Sequence, residues 1–381
     1  MAKPEIRLKG FKGEWSNISI TKIATLKAGK SFNKNDAVDT PKNGYYPCYG
    51  GNGQRGYVPY YNQEGTFNII GRQGALCGCV NIADGKFYAT EHAVLVTPIV
   101  DTDFNFLHES LVRANINQFA TGAAQPGISV ANVNAQLFLN MPLLDEQKAV
   151  GDYFKSLDSI ILATTKKIAS LKQTKQACLV SMFPHAGETT PRVRFKGFEK
   201  EWVRACLGEL FFERVESNAL GEMLSVTMNN GIIKASENGR FDNSNSDKSK
   251  YKVVKINDIA YNSMRMWQGA SGCSQYEGIV SPAYTVVVPY DGIESMFFSY
   301  MFKTLPMITL FRLYSQGLTS DTWNLKYPAF SKIKVLYPKD ISEQQRIASF
   351  FKSLDKQVSL QEQRLEKLKQ IKAACLDKMF V

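Results

Sequence analysis

The stretch "EQQRIASFFKSLDKQVSLQEQRLEKLKQIKAACLDKMF", Glu343 to Phe380, decides how this chain is organised. A near copy, "EQKAVGDYFKSLDSIILATTKKIASLKQTKQACLVSMF", occupies Glu146 to Phe183. The two align at a constant offset of 197 and agree at 16 of 38 positions. Unrelated segments would share roughly two or three, so the chain contains a duplication. In the second copy apolar residues fall at Ile347, Phe351, Leu354, Val358, Leu365, Leu368, Cys375 and Met379, with breaks at Gln361 and Lys372. In the first they fall at Val150, Phe154, Leu157, Ile161, Ile168, Leu171, Cys178 and Met182, with breaks at Thr164 and Lys175. Alternating steps of four and three predict a coiled-coil helix in each copy, and polar seam residues can fix register at some cost in stability. Ser342 with Gln345 predicts a capping box for the second helix, and Asp145 a cap for the first.

Outward from the helices, a second repeat opens each half. "PEIRLKGFKGEW" (Pro4–Trp15) matches "PRVRFKGFEKEW" (Pro191–Trp202), and "PHAGETTP" (Pro184–Pro191) reads as a linker between the halves. Residues 16 to 142 and 203 to 338 are rich in Gly, Asn, Tyr and short β-branched runs. "GRQGALCGCVNIADGKFYATEHAVLVTP" reads as strands with "ADGK" as a hairpin turn, and "YNSMRMWQGASGCSQYEGIVSPAYTVVVP" reads similarly. Laid together, Gly74-Ala75 falls on Gly269-Ala270, Arg72 lies close to Arg265, and "TEHAVLVTP" meets "SPAYTVVVP". The middles share a scaffold and have diverged further than the helices. The expected organisation is a domain over 1–145, a helix over 146–183, a linker over 184–191, a second domain over 192–342 and a second helix over 343–381.

The 381 residues carry a net charge of +11, which favours a polyanionic partner, nucleic acid being the commonest. No run is long enough to span a bilayer, and "MAKPEIRLKGFKGEW" lacks the apolar core of a signal peptide. Seven cysteines without framework spacing point to a reducing cytoplasm. Cys77 and Cys79 form a lone CxC without a second ligand pair, so no metal is expected. "AGKSF" (Ala28–Phe32) lacks the earlier glycine of a phosphate loop, since position 24 is Ala24. Asp145, Glu146 and Lys148 suggest a nuclease, but Gln345 replaces the lysine in the second copy, and capping explains the stretch better. No nucleophile or metal partner accompanies His92, and no catalytic residue is assigned.

What remains is binding chemistry. "CYGGNGQRGYVPYY" carries Asn52, Gln54 and Arg55, "GRQG" carries Arg72 and Gln73, and "ATEHA" carries Thr90 and His92. "TGAAQPGIS" adds Thr121, Gln125 and Ser129. The second half offers Asn262, Ser263, Arg265, Trp267 and Gln268 in "NSMRMWQG", Ser281 and Tyr284 in "SPAY", and Ser315, Gln316 and Thr319 in "YSQGLTSDTWNLK". Arg pairs bidentately with guanine and Asn or Gln with adenine, while hydroxyls and glycine-loop amides suit phosphates.

With the duplicated helix, the "RxKGFxxEW" opening of each half and these two middles, the sequence resembles the specificity subunit of Type I restriction–modification systems over nearly its whole length. That resemblance implies an α/β fold: two target-recognition domains separated by two antiparallel coiled-coil helices, with pseudo-two-fold symmetry. It implies that each domain reads one half of a bipartite, asymmetric target on double-stranded DNA. The helices would set the spacing and dock two methyltransferase subunits, with Phe154, Leu157, Leu171, Phe351, Leu354 and Leu368 as docking residues. Restriction (motor-nuclease) subunits would join that core. S-adenosylmethionine, ATP and magnesium would belong to the partners, leaving this chain non-catalytic. A coiled-coil scaffold without DNA recognition is the alternative.

Overall fold

A computed structural model of the chain describes residues 3–74, 76–122, 126–185, 187–228, 230–238 and 247–381. It forms two compact units, Met1–Lys166 with Gln363–Val381, and Lys167–Glu362. The division falls inside each long helix, so both helices contribute to both units.

The first unit is built on an antiparallel sheet of β1 (Ala24–Ala28), β2 (Phe67–Gly71), β3 (Val80–Ala83) and β4 (Ala93–Pro98), in the order β1-β4-β2-β3. Alternation along β2 and β4 sends Ile70, Val94 and Val96 to one face, where Phe106, Leu107 and Leu111 of helix α1 (Phe104–Arg113) cover them. Asp103 caps α1, its Oδ1 accepting from Phe106 N at 2.8 Å. On the other face, Ile69 and Leu95 pack with Phe87 and Ala89. Those two residues belong to a second sheet, made of Gly53–Val58, Tyr46–Gly50, Lys86–Ala89 and Gln63–Glu64. The core closes on Val150 and Phe154 of the long helix α2 (Leu144–Ser181) and on Met379 and Phe380.

The second unit repeats this plan. Strands β5 (Phe211–Glu213), β6 (Ile259–Asn262), β7 (Ser271–Cys273) and β8 (Tyr284–Pro289) take the equivalent order β5-β8-β6-β7, again antiparallel. Helix α3 (Ser295–Met301) covers Ile259, Tyr261 and Val287 with Phe297 and Phe298, and α4 (Leu305–Tyr314) adds Phe311. The core closes on Phe183, and on Ile347 and Phe351 of helix α5 (Ile341–Met379). The aromatic plugs are equivalent. Phe380 lies 5.3 Å from Phe106 and 6.1 Å from Trp15, while Phe183 lies 5.4 Å from Phe297 and 6.2 Å from Trp202.

Every predicted seam position of both helices is buried or half-buried. In the first unit Tyr153 meets Cys375 and Asp158 meets Lys372, and in the second Lys172 meets Glu362 and Lys175 meets Asp355. Numbers rise along one helix as they fall along the other, so the helix segments in each unit run antiparallel.

The duplicated motifs meet one another. Arg7 grips the carboxylate of Glu146 with Nε and Nη2, both at 2.7 Å, and Arg194 grips Glu343 at 2.6 and 2.8 Å. Trp202 Nε1 donates to the same Glu343 at 3.3 Å. The glutamates are 3% and 1% exposed, so each bidentate arginine compensates a fully desolvated charge. Gln147 donates to Pro142 O and accepts from Asp103 N, and Gln344 does the same with Pro338 O and Glu294 N, tying the long helices to the starts of α1 and α3.

Three sequence expectations need correction. The cap of α5 is Asp340, whose Oδ1 accepts from Ser342 N and Oγ; the capping box at Ser342 does not form because Ser342 already lies inside the helix. Asp145 likewise lies inside α2's first turn, where its charge favours the helix amino end without capping it. "ADGK" does turn, with Gly85 at φ 77°, but the strands on either side belong to different sheets. A turn motif reports chain reversal, whereas pairing follows burial, and Phe87, Tyr88 and Ala89 are all buried.

Candidate nucleic-acid interface

In each unit the candidate polar residues gather at one end of the central sheet, around the β2–β3 or β6–β7 connection. In the first unit Arg72 follows β2 directly. Its amide donates to His92 O, its carbonyl accepts from Ile128 N, and its Nε donates to Ile128 O at 3.3 Å. Gln73 bridges to Gly127 in the small hairpin that pairs Ala120–Thr121 with Gly127–Ile128, and this brings Thr121 and Ser129 alongside. Gly51 makes the approach possible. A Cβ there would lie 2.3 Å from Gln73 O, so only glycine lets the tip of the separate hairpin formed by Tyr46–Gly50 and Gly53–Val58 reach the connection. Asn52 is exposed at that tip, and Gln54 and Arg55 are exposed on the strand leaving it. The fixed backbone therefore presents Asn52, Gln54, Arg55, Arg72 and Thr121 to solvent, with Gln73, His92 and Ser129 half-buried beside them. Gln125 and Ala75 lie outside the described residues.

In the second unit Asn262 ends β6 and faces Tyr284 at the start of β8. The connection then carries Arg265, whose Nη1 donates to Gln268 Oε1 at 3.2 Å, and Trp267, whose Nε1 donates to Met264 O. Trp267 packs edge-on against Trp323 at 5.2 Å, and the Arg312 guanidinium lies 5.2 Å over Trp323. The Gln316–Asn324 bridge holds Ser315, Gln316 and the exposed Thr319 beside them. Ser281 accepts from Tyr284 N through its carbonyl. Lys303 of the α3–α4 turn anchors the site from below, its ammonium donating to the carbonyls of Met228, Gly269 and Ser271. Burial, with the nearby Lys175 charge, lowers its pKa to about 8.

Sequence reasoning missed Arg312, Trp323 and Lys303. Arg312 and Trp323 could have been noticed as exposed-type residues flanking "YSQGLTSD", but nothing in the sequence links Lys303 to Gly269. Other assignments are overturned. Thr90 is completely buried and its Oγ1 accepts from His92 N, which makes it a brace for the β4 approach. Ser263 is 4% exposed and shares a hydrogen bond with Thr285, so neither hydroxyl can reach a surface ligand. Phe154, Leu157, Phe351 and Leu354 are buried in the chain's own cores and seam, and Leu171 and Leu368 are half-buried in that seam. The four buried side chains are covered from within and offer no surface to a partner, whereas Leu171 and Leu368 stay partly exposed.

Among the described residues no helix is long and apolar enough to cross a membrane, and no group of three or more His, Cys, Asp or Glu side chains could hold a metal. The seven cysteines are free.

The fold and these paired loop clusters define a duplicated protein: one α/β scaffold used twice, with different polar side chains at the equivalent end of the sheet. The chain belongs to the family of the Type I restriction modification DNA specificity domain, whose model matches residues 12–173 and 199–370. Over 161 residues it is 34% identical to the Type I restriction enzyme EcoprrI specificity subunit of Escherichia coli, covering 42% of this chain and 39% of that protein. Over 162 residues it is 26% identical to a putative type I restriction enzyme specificity subunit of Haemophilus influenzae, covering 42% of this chain and 40% of that one. These alignments thus span about two fifths of either relative. Among solved structures, the S subunit of a Type-I restriction-modification system from M. genitalium superposes with a TM-score of 0.70 at 17% identity, covering 100% of this chain and 99% of that one. A chain from a structure on complex assembly and conformational transition of the type I R-M system gives 0.50 at 13% identity, covering 98% and 99%. At such identities the likeness is one of fold.

Proposed function

We propose that this chain is the DNA-specificity subunit of a type I restriction–modification complex, and that each unit reads one half of a bipartite target on duplex DNA. One observation carries the reading. The equivalent strand connection, at the equivalent end of the central sheet, presents Arg72 and Gln73 in one unit, with Asn52 beside them on a neighbouring hairpin tip, and Arg265 and Gln268 in the other, with Asn262 at the strand end. Arginine and amide side chains on rigid strand ends suit base-edge hydrogen bonding, and duplication with divergence suits two different half-sites. The net charge of +11 favours the phosphate backbone. Within the complex the chain supplies recognition rather than chemistry. Two methyltransferase subunits dock on its long helices, restriction subunits join them, and S-adenosylmethionine, ATP and magnesium are bound by those partners in the cytoplasm. The docking surface is the outward face of the helices, since the seam is filled.

The test is a gel shift with the assembled methyltransferase complex on a random duplex pool, at rising salt and with competitor. Selective retention of a bipartite sequence, weakening as salt rises, is expected. A complex that assembles on this chain yet binds all duplexes equally would overturn the reading and favour a scaffold.

A further inference from the structure

Lysines 372 and 175 interrupt the apolar seam at the same phase of the two copies, where each costs the helix pair packing. Both are half-buried, and each holds more than the opposite helix. In the first unit Lys372 Nζ donates to both oxygens of Asp158 on α2, at 2.7 Å, and to Glu109 Oε1 of α1, at 2.9 Å. In the second, Lys175 Nζ donates to Asp355 Oδ1 of α5 at 2.5 Å and lies 5.4 Å from the ring centre of Tyr300 on α3. Tyr300 Oη closes the arrangement by donating to Asp355 Oδ2 at 2.8 Å. Asp158 and Asp355 are equivalent in the duplicated helices. Glu109 and Tyr300 occupy equivalent turns of the helices that cover the reading sheets, three residues after Phe106 and Phe297. The three-way arrangement persists although the third member has changed from a carboxylate to a phenol.

We propose that Lys372 and Lys175 are positioning residues that fix the orientation of each reading sheet on its own segment of the helix pair, and so keep the preferred spacing between half-sites sharp. Each lysine ties two long helices to the one short helix that backs the sheet, through α1 in the first unit and α3 in the second. An apolar residue in place of Lys372 would pair the helices better but hold nothing in α1, and one in place of Lys175 would leave α3 held by the Tyr300–Asp355 bond alone. The proposal rests on the reading of function above.

The experiment uses the assembled methyltransferase complex and a library of fixed half-sites with variable spacers. Lys175→Met is the first variant, because Asp355 keeps Tyr300 Oη as a partner. Lys372→Met would strand Glu109, which is 2% exposed, so it is made together with Glu109→Gln. In each variant the ratio of methylation at the parental spacer to that at spacers one base pair longer or shorter should fall roughly fivefold, as expected for losing one coupled interaction. Both half-site sequences should be retained, the melting temperature should stay near the parent's, and Lys175→Arg should restore the sharp spacing. A folded, methyltransferase-bound Lys175→Met that keeps the parental ratio overturns the positioning role, as does a change in half-site bases instead of spacing. A parental complex that shows no bipartite site overturns the functional reading itself, and the positioning role with it.

Discussion

Arg194→Met tests the idea that the two repeated motifs exist to satisfy each other. The substitution keeps an unbranched side chain of similar reach and removes both guanidinium bonds to Glu343. That carboxylate is 1% exposed and would keep only Trp202 Nε1, at 3.3 Å. Breaking a buried pair by removing one partner costs about 3–5 kcal/mol, because the remaining charge is neither hydrated nor paired. Against a typical domain stability of about 5–15 kcal/mol this is a large fraction. At a slope near 2 kcal/mol per molar urea, it moves the second unit's midpoint down by about 2 M. Neutralising the stranded group in Arg194→Met/Glu343→Gln should recover at least about 1 kcal/mol, since an amide is cheaper to bury than a carboxylate. The assay is urea unfolding followed by tryptophan fluorescence, to which Trp202 reports from within the clasp. A single variant that loses less than about 1 kcal/mol would place the pair among ordinary surface salt bridges and refute the reasoning. So would a double variant as unstable as the single.

Two further outcomes follow from the first unit. Gly151 of α2 has no room for a side chain, since a Cβ would lie 2.1 Å from Asp103 Oδ1 and 2.9 Å from Phe106 N; Gly151→Ala should displace that cap and cost about 1–2 kcal/mol in thermal or urea unfolding. His108 is held neutral by burial and by the Lys372 charge, its pKa lowered to about 4 while Nδ1 lies 2.8 Å from Asn68 Oδ1. The unfolded chain therefore binds the extra proton between pH 6.5 and 4, and the stability present above pH 6.5 is lost as pH falls through that window. Between pH 7 and pH 5 the parent should lose about 2 kcal/mol more than His108→Gln in urea unfolding, and equal losses would contradict the assignment.

The long helices were legible because a seven-residue apolar period is a local signal, and the structure fills the seam at each predicted position. The duplication was legible for the same reason. What the sequence concealed is long-range. Arg7 and Glu146 are 139 residues apart, and nothing short of the fold shows that they meet. Glu146 and Glu343 looked like helix-start charges because position within an element is readable and a distant partner is not. Thr90 and Ser263 looked like binding hydroxyls because a polar residue near a glycine loop has the same local context whether it faces solvent or braces a strand. Arg72 and Arg265 both follow equivalent strands, Arg72 directly and Arg265 after Ser263 and Met264, because the spacing of β-branched runs marks the strand ends and leaves the loop positions open.

The central claim is that two equivalent connections read two different half-sites. Its most direct measurement is methylation-site mapping on a random duplex library, using the assembled methyltransferase complex with the parent chain, Arg72→Ala or Arg265→Ala. The account predicts a bipartite parental site. Each variant should relax discrimination at one position of a different half, by about 1–3 kcal/mol, and leave the other half untouched. Relaxation of the same half by both variants, or a uniform loss on all sequences, would contradict it.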